Sequence, residues 1–300
     1  MSRARYREEP CTTALNRVHG MPSFEWSLNP YMGCAHRCTF CYVRAFERRA
    51  DRAWDAAYGT SIRVKVNVAE VLRRELARPS WKRAFVAFGA ATDPYQPAEG
   101  RYRLSRACIE TMAAARNPFG IVTRGTLVVR DIDALQEASR RARVGVHLSI
   151  PTLDHGVWAA TEPGSPPPRQ RLRALRALAD AGIEAAVAMA PILPGISDRP
   201  EQLAEVVRAA RDAGATRVWA NVLYLKPGTR EHFLAELARA WPDRVAPIER
   251  LYAGRAYLDE AHTRPLRDEV AALVRRIGVA DRRALKRRPP EEPVQLDLAV

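Results

Sequence analysis

The sequence predicts an α/β fold: six βα units forming a parallel sheet that curls into an open, partial (β/α)6 TIM-like barrel. Three observations predict it. Short apolar runs alternate with amphipathic helical stretches through the middle of the chain, the pattern of repeated βα units. Gly182 and Gly214 stand just past two of those helical stretches, where helices commonly end. The strands number six, too few to close an ordinary eight-stranded barrel.

In order along the chain, residues 1–23 carry Pro10, Gly20 and Pro22 with little periodicity and read as an irregular N-terminal arm containing one incidental thiol, Cys11. Residues 24–228 form the barrel. Phe24–Asn29 is its first strand, and a charged helix is expected near Arg44–Ala53. Ile62–Val66 alternates apolar and basic residues, as a half-exposed strand does. Asn67 is placed to cap a helix over Val68–Ala77, with Val71, Leu72 and Leu76 on one face. Further strands are expected at Ala84–Phe88, Ile121–Thr123, Val144–Ile150, Ala185–Ala190 and Arg217–Leu223. The helices between them fall at Ser105–Arg116, Ile132–Arg140, Arg169–Ala181 and Gln202–Ala213. Residues 229–288 read as a helical extension covering the open side or base of the barrel. It has one helix at Thr229–Ala240, ended by Trp241-Pro242, and another at Arg264–Ile277. Residues 289–300 read as a flexible, proline-containing tail.

At 47% hydrophobic, a chain of this length has ample material for a core. No run of eighteen apolar residues is present, so no membrane span is expected. The basic start, MSRARYREEP, has no following apolar segment and does not read as a secretory signal. The formal net charge of +14 invites a nucleic-acid partner. Against that, only Lys65, Lys82, Lys226 and Lys286 are lysines; an arginine- and alanine-rich composition also follows from coding bias. The one dense basic run is Arg282–Arg288. Oligomeric state has no signature in the sequence.

The chemistry concentrates in Cys34, Cys38 and Cys41, spaced C-x3-C-x2-C. Three thiolates within eight residues converge on one metal centre more readily than they form disulfides. A closed zinc site or an ordinary electron-transfer cluster takes four protein ligands. Three cysteines hold three corners of a [4Fe–4S] cube and leave one iron open. The competing readings are a zinc site completed by His36 or His19 and a plain electron carrier. Gly33 and Pro30 suit the turn that the loop needs. Cysteines kept reduced for a cluster place the protein in the cytoplasm.

The stretch Asn29–Tyr42, NPYMGCAHRCTFCY, carries C-x3-C-x-aromatic-C and resembles the signature of the radical S-adenosylmethionine (radical SAM) enzymes. More narrowly it is similar to the spore photoproduct lyase-like branch, over roughly residues 24–225. The resemblance implies the partial barrel, with the active site at the C-terminal ends of its strands. It implies a [4Fe–4S] cluster on the three cysteines, with S-adenosyl-L-methionine on the open iron. Reductive cleavage then yields a 5′-deoxyadenosyl radical that takes hydrogen from substrate, and a partner such as ferredoxin or flavodoxin supplies the electron. Phe40 would lie flat beside the cluster. Thr92 and Asp93 would accept from the cofactor's ammonium and Arg124 would pair with its carboxylate. Ser149 would reach the ribose, and Pro191–Ile196, with Pro194 and Gly195, would pack along adenine. Glu162 falls in the substrate-side segment; the alternative is that it pairs with Arg169 or Arg173 and is purely structural. Tyr95 and Glu99 are the catalytic candidates, and Asn221 or Tyr224 would face the pocket. Two departures stand out. Ala90 and Ala91 occupy the region where spore photoproduct lyases carry a hydrogen-donating cysteine, and Cys108 falls within a helix as a small apolar residue. Arg124 stands where the branch tends to have lysine.

Three functions follow: a radical SAM enzyme of unidentified substrate, a DNA or RNA repair or modification enzyme using the same chemistry, and a non-enzymatic metal-binding protein.

Overall fold

The computed structural model describes residues 4–21 and 23–279. Its strands are β1 (Arg5–Glu9), β2 (Leu15–Arg17), β3 (Trp26–Leu28), β4 (Tyr31–Met32), β5 (Ser61–Lys65), β6 (Val86–Phe88), β7 (Phe119–Thr123), β8 (Val144–Ser149), β9 (Glu184–Ile192) and β10 (Arg217–Val222). Its helices are α1 (Val43–Arg49), α2 (Val68–Leu76), α3 (Ala98–Tyr102), α4 (Leu104–Ala114), α5 (Ile132–Arg141), α6 (His155–Thr161), α7 (Pro168–Asp180), α8 (Pro200–Asp212), α9 (Thr229–Ala240), α10 (Pro242–Leu251) and α11 (Glu260–Ile277), with a 3-10 turn at Thr126–Asp131.

The main sheet runs β10-β9-β8-β7-β6-β3-β2. Its six strands from β3 to β10 are mutually parallel, and β2 pairs antiparallel on the outer edge of β3. These six are the strands expected from the sequence. Parallel strands are covered on both faces, so they read as apolar runs; β9, EAAVAMAPI, is the longest of them. Val86, Phe88, Phe119, Ile121, Val146, Leu148, Val187 and Met189 form the core with Leu135, Leu175, Leu203 and Val207 of the helices. The register sets Thr123 beside Leu148 and Ser149 beside Ala188, which brings the residues after β7, β8 and β9 to one end of the barrel.

Several expectations are corrected. The N-terminal arm is not irregular. β1 pairs parallel with β5 in a second, three-stranded sheet, β1-β5-β4, and β2 extends the main sheet. Asn67 does stand at the N-cap of α2, but its side chain makes no cap bond. It accepts from Cys11 N–H at 2.7 Å and donates to Cys11 O at 3.1 Å, tying the arm down. Trp241-Pro242 ends α9 as expected, with Trp241 at its C-cap, but Pro242 also opens α10, a helix not expected from the sequence, because proline suits a first helical turn. α11 begins at Glu260, four residues early, because Asp259 caps it by accepting from His262 N–H. α3 and α6 escaped notice; α6 is capped by Asp154, which accepts from Val157 N–H at 2.9 Å.

α11 packs against β10 and α8, at the sheet's far edge. α9 and α10 form a second apolar cluster with the cysteine loop: Cys38, Phe40, Leu193, Leu223, Phe233, Leu237, Ile248 and Tyr252. The basic run Arg282–Arg288 and the tail 289–300 lie outside the described residues.

Candidate functional site

The loop between β4 and α1 holds the three cysteines, all free, with Cys34 and Cys38 buried and Cys41 half-buried. Its backbone is held from several sides. Thr92 Oγ1 donates to Gly33 O at 2.7 Å, and the Gln96 amide donates to Gly33 O at 3.1 Å and accepts from Ala35 N–H at 2.9 Å. Thr39 N–H donates to Thr161 O and Gly164 N–H to His36 O. The buried Arg44 guanidinium donates to the carbonyls of Cys38, Trp54 and Asp55, and Thr229 Oγ1 donates to Cys41 O. Packing is as close as the bonding. A Cβ on Gly59 would fall 2.2 Å from Cys34 O, and Gly59 has φ +77 besides; a Cβ on Gly164 would fall 2.3 Å from Ala35 O. Such a loop holds its thiols in place before anything binds.

Burial raises the Cys34 and Cys38 thiols; Cys38 reaches about 12 although Arg124 opposes the rise. A positive metal centre reverses that balance, since a coordinated thiol is deprotonated. The donor set fits an iron–sulfur group: three thiols on one preset loop. No group of three or more His, Cys, Asp or Glu side chains is gathered tightly enough for a single metal ion among the described residues. Sulfurs on three corners of a cube stand farther apart than the ligands of one ion. His36 is also engaged elsewhere. Its Nδ1 lies 3.1 Å from Asp93 Oδ2, out of line for a hydrogen bond but close enough for an ion pair when protonated. Arg37 donates to Ala56 O.

Beyond the loop, the strand ends divide into two walls. On the β6 wall, Asp93 is saturated. It accepts from the Thr123 hydroxyl at 2.5 Å, Arg124 N–H at 2.6 Å and Tyr95 N–H at 2.9 Å, and faces His36. Burial would raise its pKa, but His36 and these donors outweigh burial and hold it at about 2. Thr92 Oγ1, besides donating to Gly33, accepts from the Gln96 amide at 3.0 Å. Glu99 is fully buried and accepts from the Tyr31 hydroxyl at 2.5 Å, Ser105 N–H at 2.9 Å and Arg130 at 2.7 Å. Tyr95 is buried in the core, and its hydroxyl donates to Asp131. Thr92, Asp93, Tyr95 and Glu99 are thus brought together, with these bonding groups committed to the protein.

The β7–β9 wall differs. Arg124 donates through Nε to Glu162 Oε2 at 2.9 Å and through Nη2 to Ala190 O at 3.1 Å. Its guanidinium lies 5.4 Å over the Phe40 ring, and its Nη1 makes no hydrogen bond among the described residues. Glu162 Oε2 also receives Arg171 Nη1 at 2.7 Å, and that same nitrogen donates to Ser149 O at 2.7 Å. Arg171 is fully buried and its remaining donors reach Pro166 O and the Ser165 hydroxyl. Glu162 is 0% exposed, yet its second oxygen, Oε1, has no partner. Ser149 is buried at the end of β8. The Pro194–Gly195 turn lies after β9, with Gly195 exposed at φ +73 and its N–H donated to Asp198.

The partners of Glu162 are therefore Arg124 and, from α7, Arg171; Arg169 and Arg173 are both exposed. The buried positions of α7 are Pro168, Arg171, Ala174, Leu175 and Leu178, so Arg171 falls on the apolar stripe. That spacing was visible in the sequence and would have selected it. Cys108 is buried within α4, and burial raises its thiol pKa.

The Radical SAM superfamily profile matches residues 28–207. The chain belongs to the radical SAM superfamily. An uncharacterised protein of Mycobacterium tuberculosis is 38% identical over 294 residues, covering 97% of this chain and 86% of that protein. Another from Methanocaldococcus jannaschii is 25% identical, covering 80% of this chain and 85% of its own length. Among solved structures, a spore photoproduct lyase mutant with bound AdoMet and dinucleoside spore photoproduct superposes on this radical SAM chain with a TM-score of 0.68 at 17% identity. The match covers 91% of this chain and 79% of that one. At that identity the likeness shows the fold. Membership of the superfamily implies a [4Fe–4S] cluster, S-adenosylmethionine and a reductant. No helix among the described residues is long and apolar enough to cross a membrane.

Proposed function

We propose that the protein is a cytoplasmic enzyme that cleaves S-adenosylmethionine reductively and directs the resulting radical at a substrate held over the barrel mouth. Cys34, Cys38 and Cys41 hold a [4Fe–4S] cluster, with Phe40 packed beside it. When bound, the cluster and S-adenosylmethionine supply a 5′-deoxyadenosyl radical. The observation that carries the reading is the pairing of a preset three-thiol loop with a buried carboxylate oxygen left without a partner, Glu162 Oε1.

The residues then divide as follows. Arg124 keeps Nη1 for the cofactor's carboxylate. Glu162 Oε1 accepts from its ammonium, a role that Thr92 and Asp93 are poorly placed to fill with their acceptors already occupied. Thr92 and Asp93 act by holding the loop and Arg124 in position. Ser149 lies toward the ribose, and the Pro194–Gly195 turn lies along the adenine. Tyr95 and Glu99, enclosed in buried hydrogen bonds, support the wall rather than carry hydrogen.

Anaerobic reconstitution tests this. Wild type is expected to bind about four irons per chain and, with dithionite, to release 5′-deoxyadenosine. Cys38→Ala is expected to lose both iron and cleavage. One zinc and no iron per chain in protein purified without oxygen would refute the reading.

A further inference from the structure

Next to the cysteine loop the surface carries a connected set of aromatic rings. Tyr42 follows Cys41 directly, and its hydroxyl donates to Ala90 O. Its ring lies 5.8 Å from Tyr224, beyond β10, and Tyr224 stacks on Tyr257 at 5.1 Å with 20° between planes. Phe46 meets Tyr42 edge-on at 5.9 Å. The outer rings are open to solvent, Tyr257 at 55% and Phe46 at 40%; they are two of the four exposed large hydrophobic side chains among the described residues. The Leu225 N–H bond to Ala256 O holds the Tyr257 segment in place.

The patch is also positive. Lys226 Nζ lies 5.4 Å over Tyr257 and 5.8 Å over Phe46, and Arg49 lies 5.2 Å over Phe46. Neither cation makes an ion pair among the described residues. Three acids on or beside the same segments are already matched: Glu47 by Arg52, Glu231 by Arg48 and Asp259 by Arg255. A rigid aromatic centre with an uncompensated positive rim has the composition of a protein-docking surface. It is complementary to an acidic partner. It is a poor platform for stacked bases, which need free ring faces; Tyr224, Lys226 and Arg49 already lie against those of Tyr257 and Phe46.

We propose that this patch docks an acidic one-electron donor protein of the ferredoxin or flavodoxin kind, and that the packed rings Tyr257, Tyr224 and Tyr42 give a water-free contact between donor and cysteine loop. The proposal rests on the cluster reading above. In the step concerned the reduced donor loses one electron and the oxidised cluster gains it; no proton moves and no bond forms or breaks.

The test uses reconstituted holoenzyme with flavodoxin hydroquinone. It measures flavodoxin affinity at low and high salt, and the rate of cluster reduction by freeze-quench electron paramagnetic resonance. In the Arg49→Glu/Lys226→Glu double variant, affinity and flavodoxin-driven reduction are expected to fall about tenfold or more. Tyr257→Ala is expected to lower both by a smaller factor. Reduction by dithionite should be unchanged in both variants. Unaltered flavodoxin affinity in the double variant would overturn the proposal. So would a single-stranded oligonucleotide that binds the patch, displaces flavodoxin and loses affinity in the same variant. If dithionite fails to reduce wild type at all, the cluster reading itself fails and the docking proposal falls with it.

Discussion

Asp93 and Glu162 are both buried carboxylates at strand ends of one barrel, yet they are dressed differently. Asp93 has both oxygens occupied, by a hydroxyl, two backbone N–H groups and an imidazole. Glu162 receives two arginines on one oxygen and nothing on the other. Buried polar atoms are nearly always paired, so an unpaired one needs an explanation, and a ligand at the site would supply it for Glu162 Oε1. The saturated carboxylate fixes the framework. The unsaturated one is the group we assign to a ligand.

The largest expected effect comes from unbalancing the unsaturated side. Arg171→Met leaves Glu162 short of a cation and strips donors from Ser149, Ser165 and Pro166. Removing one member of a buried charge pair costs about 3–5 kcal/mol. Denaturant unfolding of the apoprotein should show that loss. A drop below about 1 kcal/mol would mean that the network is not buried as described.

A third titratable group sharpens the rule. His147, on β8, is half-buried, and its Nδ1 accepts from Trp219 Nε1 at 3.1 Å, so its neutral form is the satisfied one. Burial first, then Arg217 and Arg143, lowers its pKa to about 4. The folded value is depressed for a base, so the fold binds this proton less readily than the unfolded chain does. The stabilisation is complete above the usual histidine value near 6.5 and is lost as pH falls toward 4, up to about 3 kcal/mol. His147→Leu should remove that part of the pH dependence of apoprotein stability; an unchanged slope between pH 6.5 and 4 would refute it.

Thermal shifts then compare the two carboxylates directly. S-adenosylmethionine at about 100 times its Kd should stabilise wild-type holoenzyme by about 2.7 kcal/mol. Asp93→Asn should lower basal stability while keeping most of that increment, whereas Glu162→Gln should lose most of it. The reverse pattern would exchange the roles assigned here. The smallest effect should come from a saturated neutral group away from the site. Asn67→Ala removes two hydrogen bonds to Cys11 and should cost about 1–2 kcal/mol in denaturant unfolding.

Much of the barrel was legible beforehand because its signals are local. The six parallel strands are short apolar runs, and the helices between them repeat at helical spacing. The errors fell where a short sequence signal has two meanings. Trp241-Pro242 reads as the stop of α9, which it is, and Pro242 also starts α10, which the stop signal concealed. Asn67 has the residue type and position of a cap, yet it is drawn to a backbone 56 residues away. The arm lacked periodicity because β1 and β2 are an edge strand of five residues and one of three, too short to show a pattern. At the site, the strand-end positions of Thr92, Asp93, Arg124 and Ser149 could be read, but not which of them kept a free hydrogen-bonding atom.

By itself the sequence determined the cysteine spacing, the parallel repeat and the apolar stripe on which Arg171 lies. Each is a pattern among neighbours along the chain. Only the tertiary structure decided that Arg124 and Glu162, 38 residues apart, share an ion pair, and that Tyr42 would find Tyr224 and Tyr257. Such meetings depend on strand register and helix phase summed over many elements, and a side chain's spare hydrogen bond exists only once all its neighbours are in place.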